Sequence, residues 1–338
     1  MIDLLVAGAG PAGAATAIRA ALAGLSVVVV EPRSGPIDKA CGEGIAHSAV
    51  DYLTRLGVEL SGRPFHGIRY VDATHQVDAR FTAGPGLGVR RTTLQAALLK
   101  RLADLNVPVI RDRVGPITQT PTSVTAANHT ARYLAAADGL HSPIRRQLNL
   151  SGGNSDDVRR GLRQHFRVSP WTDLVEVYWS RLGEAYVTPV ADNLVGVAIL
   201  TSARGTFDSH LDAFPALKHR LCGATPASAV MGAGPLRQRV HARTAGRVLL
   251  VGDAAGYVDA LTGEGIAVAL RTSAELVDCI RADRPQDYEA AWRRVSWECR
   301  LLTASLLWAR NRPVLAPRIV PAAAALPGVY RTIVNRLS

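Results

Sequence analysis

The stretch "VAGAGPAGAATAIRAALAGLSVVVVEPR" (6–33) constrains the fold more than any other part of the chain. Apolar, β-branched runs at 3–8 and 26–31 flank a helix of small residues that Gly24 closes, which is the start of a βαβ unit. Gly8, Gly10 and Gly13 stand at the strand-to-helix junction in the order G-x-G-x-x-G. Gly8 permits a tight turn, Gly10 lets a pyrophosphate approach the backbone, and Gly13 lets helix and strand pack closely. The helix N-terminus adds N–H groups and positive potential. Glu31, ending the second strand, accepts hydrogen bonds from an adenosine ribose and repels a 2′-phosphate. The expected ligand is an adenine dinucleotide, FAD or NAD. Arg33 either stacks on the adenine or is a solvated surface residue.

Beyond this unit the pattern changes twice. Residues 47–57 and 92–105 have helical spacing, and 65–83 alternate like a hairpin. From 160 to 240 short alternating runs read as an antiparallel sheet, and "RVLLVG" (247–252) returns to a buried strand followed by a helix. The expected fold class is α/β: a discontinuous Rossmann-like dinucleotide-binding domain from 1–63, 84–150 and 241–281, with a mainly antiparallel sheet domain for substrate from 64–83 and 151–240. A helical tail, 282–338, completes the chain.

With 338 residues and 48% hydrophobic content, the chain can bury one large core or two coupled ones. Cys41, Cys222, Cys279 and Cys299 are scattered without a C-x-x-C pair, so neither a metal site nor a disulfide framework is expected. A strand-like run begins almost at once and no apolar run is long enough for a bilayer, so the expected compartment is cytoplasmic. The formal charge is +11, but 36 of the 39 basic residues are Arg and none form a recognition cluster. Nucleic acid is not an expected partner.

The charge is uneven: from Arg281 onward ten Arg face four Asp and Glu. Residues 286–313 mix Trp292, Trp297, Leu301, Leu302, Leu306 and Trp308 with these Arg side chains. Such a helix either packs across the first domain or makes a peripheral membrane contact, its basic residues toward anionic headgroups.

Two further motifs decide the dinucleotide. "ADGLHSPIRRQL" (137–148) resembles the DG motif, and "GRVLLVGDAAGYVDALTGEGIAVAL" (246–270) the GD motif, of the FAD-dependent oxidoreductases that include para-hydroxybenzoate hydroxylase and geranylgeranyl reductase. "VRRTTLQAAL" (89–98) is similar to that group's Arg-bearing helix start. The resemblance covers most of the chain through about residue 280 and implies FAD, with NADH or NADPH as reductant. Asp253 can bond a ribityl hydroxyl, with Gly252 allowing the approach. Asp138 and Gly139 close another strand in the same way, and Arg91 offsets the pyrophosphate charge.

The pentapeptide GEGIA occurs at 42–46 and again at 263–267. In the geranylgeranyl reductase branch, a Cys-Gly-rich turn and a T-G-E-G-I turn both approach the isoalloxazine ring, and both resemble "CGEGI" and "TGEGI" here. Gly42, Gly263 and Gly265 would then bring backbone close to one flat ring. Glu43 and Glu264 are either helix-start carboxylates or ring-side groups that position a substrate or proton. Cys41 either tunes the flavin or packs, and Tyr186 either donates a hydrogen bond to substrate or fills the sheet. His47 is a base or a helix-start residue.

The resemblance offers two reactions on a hydrophobic small molecule. One is hydroxylation of an aromatic ring, a phenolic lipid or polyketide, by O2 through a C4a-hydroperoxyflavin; the other is reduction of isoprenoid C=C bonds. "EAYVTPVADNLVGVAIL" (184–200) keeps Tyr186 and Pro189 of the reductases' Y-x-W-x-F-P strand without its Trp and Phe, which tips the expectation toward hydroxylation. The halogenase signature W-x-W-x-I-P is absent from the sequence.

Overall fold

Strands Val248–Leu250, His129–Ala136, Ile2–Ala7, Val27–Val30 and Val109–Ile110 lie side by side and parallel. Their nearly unbroken Val, Leu and Ala content is what a buried parallel sheet requires. Short antiparallel strands, Thr118–Gln119, Val124–Ala126 and Thr244–Ala245, extend this sheet. Helix Pro11–Leu22 follows the first strand and packs against both Arg91–Asp104 and Gly265–Arg281. The computed structural model describes residues 1–153 and 158–337; residues 154–157 of the expected sheet segment 151–240, and residue 338 of the tail, lie outside the described residues.

A second sheet runs in the order Thr225–Pro226, Arg160–Arg167, Leu194–Thr201, Gly183–Ala191, Val175–Trp179, Gly67–Val71, Gln76–Arg80. All its neighbours are antiparallel except Val175–Trp179 with Gly67–Val71, the pair that joins the hairpin to the later strands. A three-stranded sheet of Gly44–Ile45, Gly86–Gly88 and Arg63–Phe65 carries the first GEGIA copy beside Gly183–Ala191. Two short helices within 160–240, Phe207–Leu211 and Pro215–Arg220, are additions to the sequence reading. At five and six residues they are too short to show a helical period.

The tail is three α-helices, Tyr288–Arg310, Ile319–Ala325 and Pro327–Leu337, separated where Pro313, Pro317 and Pro327 interrupt the backbone ladder. Tyr288 and Trp292 join the core of the first sheet, whereas Tyr330 and Val334 pack on Val77 and Ala79 of the hairpin. The tail therefore spans both sheets. No helix of the described residues is long and apolar enough to cross a membrane.

Candidate functional site

One cavity of about 900 Å³ lies where the two sheets and the tail meet, within the range of small-molecule and cofactor sites. Its wall holds Gly8, Gly10, Glu31, Arg33 and Arg91 together with both GEGIA turns. Among the expected cofactor-binding residues, Gly13 is not on the wall. A Cβ there would come within 1.9 Å of the Gly8 carbonyl, and Gly8 itself, at φ +103°, passes against the Ala137 carbonyl. These two glycines set the approach of helix to strand, which places the helix N-terminus at the cavity.

The dinucleotide end is polar and partly pre-paired. Glu31 is buried, and its carboxylate accepts from the Ala9 amide at 3.0 Å and the Arg33 Nε at 2.8 Å. Burial pushes the Glu31 carboxyl up, but those donors outweigh it and hold it below its ordinary value. Arg33 thus forks onto Glu31 while lining the cavity. A Cβ on Gly10 would meet only Arg91 Nη2, at 3.9 Å, so Gly10 and Arg91 face one space. Asp138 accepts from the Ile144 amide through one oxygen. Lys39 Nζ stands 3.8 Å from Asp253, beside Gly139.

Arg91 Nε, Asp138 Oδ1 and Glu264 Oε2 are buried polar atoms without a hydrogen-bond partner among the described residues, and all three residues line this cavity. Buried orphans on one wall are what a polar, elongated ligand satisfies. The residues present fit FAD: Gly10 and Arg91 would take the pyrophosphate, Glu31 the adenosine ribose, Asp138, Gly139, Gly252 and Asp253 the ribityl side, and the two turns would face the ring.

The two GEGIA copies share this cavity but not a conformation. In the first, Glu43 holds φ +60° and leads into the strand Gly44–Ile45; the helix begins only at His47. Glu43 is therefore not a helix-start carboxylate. It is 2% exposed, lies 2.7 Å from His165 Nε2, and accepts from the Arg91 amide at 2.8 Å. His165 Nδ1 reaches Ser228 Oγ at 3.0 Å, and buried Arg163 pairs with Asp38. Thr188 donates to the Gly42 carbonyl at 2.7 Å. The first turn is thus held by the second sheet. His47 lies outside the cavity wall, its Nδ1 near the Pro85 carbonyl.

In the second copy Gly263 takes φ +74° and helix Gly265–Arg281 starts directly after Glu264. Glu264 is 7% exposed, and Arg271 approaches only to 3.7 Å. Burial pushes its carboxyl up to about 8, with Arg271 pulling weakly the other way. Burial therefore favours the protonated carboxyl at neutral pH. Burial likewise raises the Cys41 thiol, so Cys41 is protonated. Tyr186 donates to the Leu261 carbonyl at 2.6 Å, committing its proton to the second turn.

The sequence reading passed over Lys39, Arg163, His165 and Arg145. Arg145 is buried and donates to the Ala254 carbonyl at 3.0 Å and to Gln238, bracing the loop that carries Asp253. Gly161, Arg163 and His165 share one face of the strand Arg160–Arg167, and two such polar side chains there read as a solvated face. The strand itself carried no signal against that reading, because Leu162 and Phe166 make the opposite face the more apolar one.

Residues 1–180 match the family described as FAD binding domain, more than half of the 338 residues. The chain belongs to the FAD-dependent oxidoreductases of the para-hydroxybenzoate hydroxylase and geranylgeranyl reductase superfamily. It is 30% identical over 312 residues to a menaquinone reductase of Mycobacterium tuberculosis, covering 82% of this chain and 76% of that protein. It is 26% identical over 316 residues to digeranylgeranylglycerophospholipid reductase 2 of Methanosphaera stadtmanae, covering 80% and 75%. Among solved structures, a triple mutant of the flavin-dependent brominase Bmp2 superposes with a TM-score of 0.84 at 16% identity, over 100% of this chain and 94% of that one. The flavin-dependent halogenase CmlS gives 0.81 at 18% identity over 91% of this chain, which spans 64% of that one. At these identities the solved structures establish the fold.

Proposed function

We propose that the protein reduces carbon–carbon double bonds in the isoprenoid chain of a quinone or lipid, with FAD as cofactor and NADH or NADPH as reductant. Glu264 carries this reading: a buried carboxyl that burial pushes up to about 8, with one oxygen that makes no hydrogen bond among the described residues, on the wall of the cavity that fits FAD. Alkene reduction adds a hydride to one carbon and a proton to the other. Bound FAD, once reduced, supplies the hydride. The protein's task is to keep a proton beside an apolar substrate at neutral pH, and an acid with a raised pKa does that.

The rest of the wall agrees. Tyr70 and Phe81 on the sheet side, with Leu302, Leu306 and Val329 from the tail, give the cavity an apolar arm suited to a hydrocarbon chain. Tyr186 and Thr188 hold the two turns by their carbonyls, and Glu43 fixes the first turn through His165. Hydroxylation of a phenol calls for a base at the ring hydroxyl; the Glu43 carboxylate and Tyr186 hydroxyl are both engaged elsewhere. Two of the relatives are named as reductases of menaquinone and of a digeranylgeranyl phospholipid.

The test is product mass after turnover of the FAD-loaded protein with NADH or NADPH and a prenylated quinone or digeranylgeranyl lipid. Gain of hydrogen pairs in the prenyl chain supports the proposal. Gain of an oxygen atom, or turnover confined to phenolic compounds, overturns it.

A further inference from the structure

The tail helices leave an apolar face in solvent. On Tyr288–Arg310, Trp297, Leu301 and Trp308 fall on one stripe, the two Trp being 59% and 55% exposed. Val314, Leu326, Val329 and Ile333 on the following segments are exposed as well. Monomeric proteins rarely leave so many large apolar side chains together without a partner.

Two observations say what that partner is. First, Leu326, Val329 and Ile333 are exposed and also line the cavity, so its apolar arm reaches the surface among them. Second, positive charge is carried by the same segments of the tail. Arg312, Arg318 and Arg331 are exposed and make no ion pair among the described residues, and the Arg312 guanidinium lies 4.3 Å from the centre of the Trp308 ring. An aromatic and aliphatic face with unpaired guanidinium groups on the same segments matches the boundary between acyl chains and anionic headgroups.

We propose that this face docks on an anionic bilayer and that the mouth formed by Leu326, Val329 and Ile333 takes the substrate chain directly from the lipid phase. A hydrocarbon chain is costly to move through water, so a mouth continuous with the bilayer removes that step. The identity of the chain rests on the proposed isoprenoid reaction. Docking itself requires no turnover, so the two can fail separately.

The FAD-loaded protein is sedimented with vesicles of phosphatidylcholine alone and of phosphatidylcholine with phosphatidylglycerol. Binding should favour the anionic vesicles, weaken with added salt, and shift the Trp emission to the blue. The combined variant Arg312→Glu, Arg318→Glu, Arg331→Glu should lose on the order of a hundred-fold in partition, from the field contribution of each Arg near a charged membrane. Trp297→Ser with Trp308→Ser should lose the emission shift and most of the binding. All five side chains are exposed, and unchanged FAD content shows that the variants remain folded. Failure to bind either vesicle, or binding that both sets of substitutions leave unchanged, overturns the proposal. So does a concentration-dependent dimer that the same substitutions abolish. Hydrogenation of a detergent-dispersed substrate by a protein that ignores vesicles would leave the reaction standing and remove the docking.

Discussion

Replacing Glu264 by Gln removes a titration that burial has displaced, and the consequence can be computed. The native carboxyl keeps its proton to about pH 8, against an ordinary value of 4.5. Above pH 4.5 the unfolded chain releases that proton while the native protein retains it, so the parent loses about 1.4 kcal/mol per pH unit relative to the variant. The folded pKa is the raised one, so the relative stability of the parent is greatest below 4.5 and falls until about pH 8, where the native carboxyl ionises too and the difference levels off. Across that interval the loss amounts to about 5 kcal/mol at most. Urea unfolding of both proteins from about pH 4 to about pH 9 gives the difference curve, in which the other titrating groups cancel. Turnover of Glu264→Gln at neutral pH should fall by roughly 10² to 10⁴-fold, the scale of a lost general acid. A difference curve that is flat with pH would refute the reasoning: Glu264 would then be an ordinary ionised carboxylate and could not hold the proton.

Asp253→Ala should weaken FAD retention by roughly 10 to 150-fold without unfolding the protein, because it removes a charge-assisted hydrogen bond from a loop that Arg145 already braces; equal affinity by flavin titration would mean that Asp253 does not touch the cofactor. Gly42→Val should fold normally, since its Cβ would meet nothing within 4 Å, and should impair flavin reduction more than FAD binding. Gly263→Val, at φ +74°, should in addition lower the melting temperature, and identical thermal behaviour of the two variants would contradict the assigned backbone. Glu184, fully buried between Arg159 and Arg310, ties the second sheet to the tail; Glu184→Gln should cost about 3 kcal/mol, with Asp259 still pairing Arg159, and a loss below about 1 kcal/mol by urea midpoint would show the network to be dispensable.

The N-terminal fingerprint made the first sheet legible because strand, turn, helix and acidic end are local and each has its own residue signature. The DG and GD motifs made the cofactor legible in the same way. The repeated pentapeptide marked two walls of one cavity, but its letters do not fix a conformation. Gly44–Ile45 becomes a strand because Gly86–Gly88 pairs with it from far along the chain, whereas Gly265 continues into a long apolar helix. The tail stripe was readable as composition, yet the place of Leu326, Val329 and Ile333 at the cavity depends on Tyr330 packing on the distant hairpin. Glu264 was readable as a candidate; its retained proton depends on burial by the assembled fold. Arg163 and His165 stayed hidden because charges on a strand normally mark the solvent side, and here the first turn covers them.

The most direct measurement concerns where the electrons go. The FAD-loaded protein is reduced without oxygen by a stoichiometric amount of NADH or NADPH, then mixed anaerobically with a prenylated quinone or digeranylgeranyl lipid, with flavin absorbance followed and the product weighed by mass spectrometry. The account predicts that oxidised flavin returns without oxygen and that the prenyl chain gains one pair of hydrogens per flavin. Flavin that stays reduced until oxygen is admitted, followed by a product carrying an added oxygen atom, would contradict it.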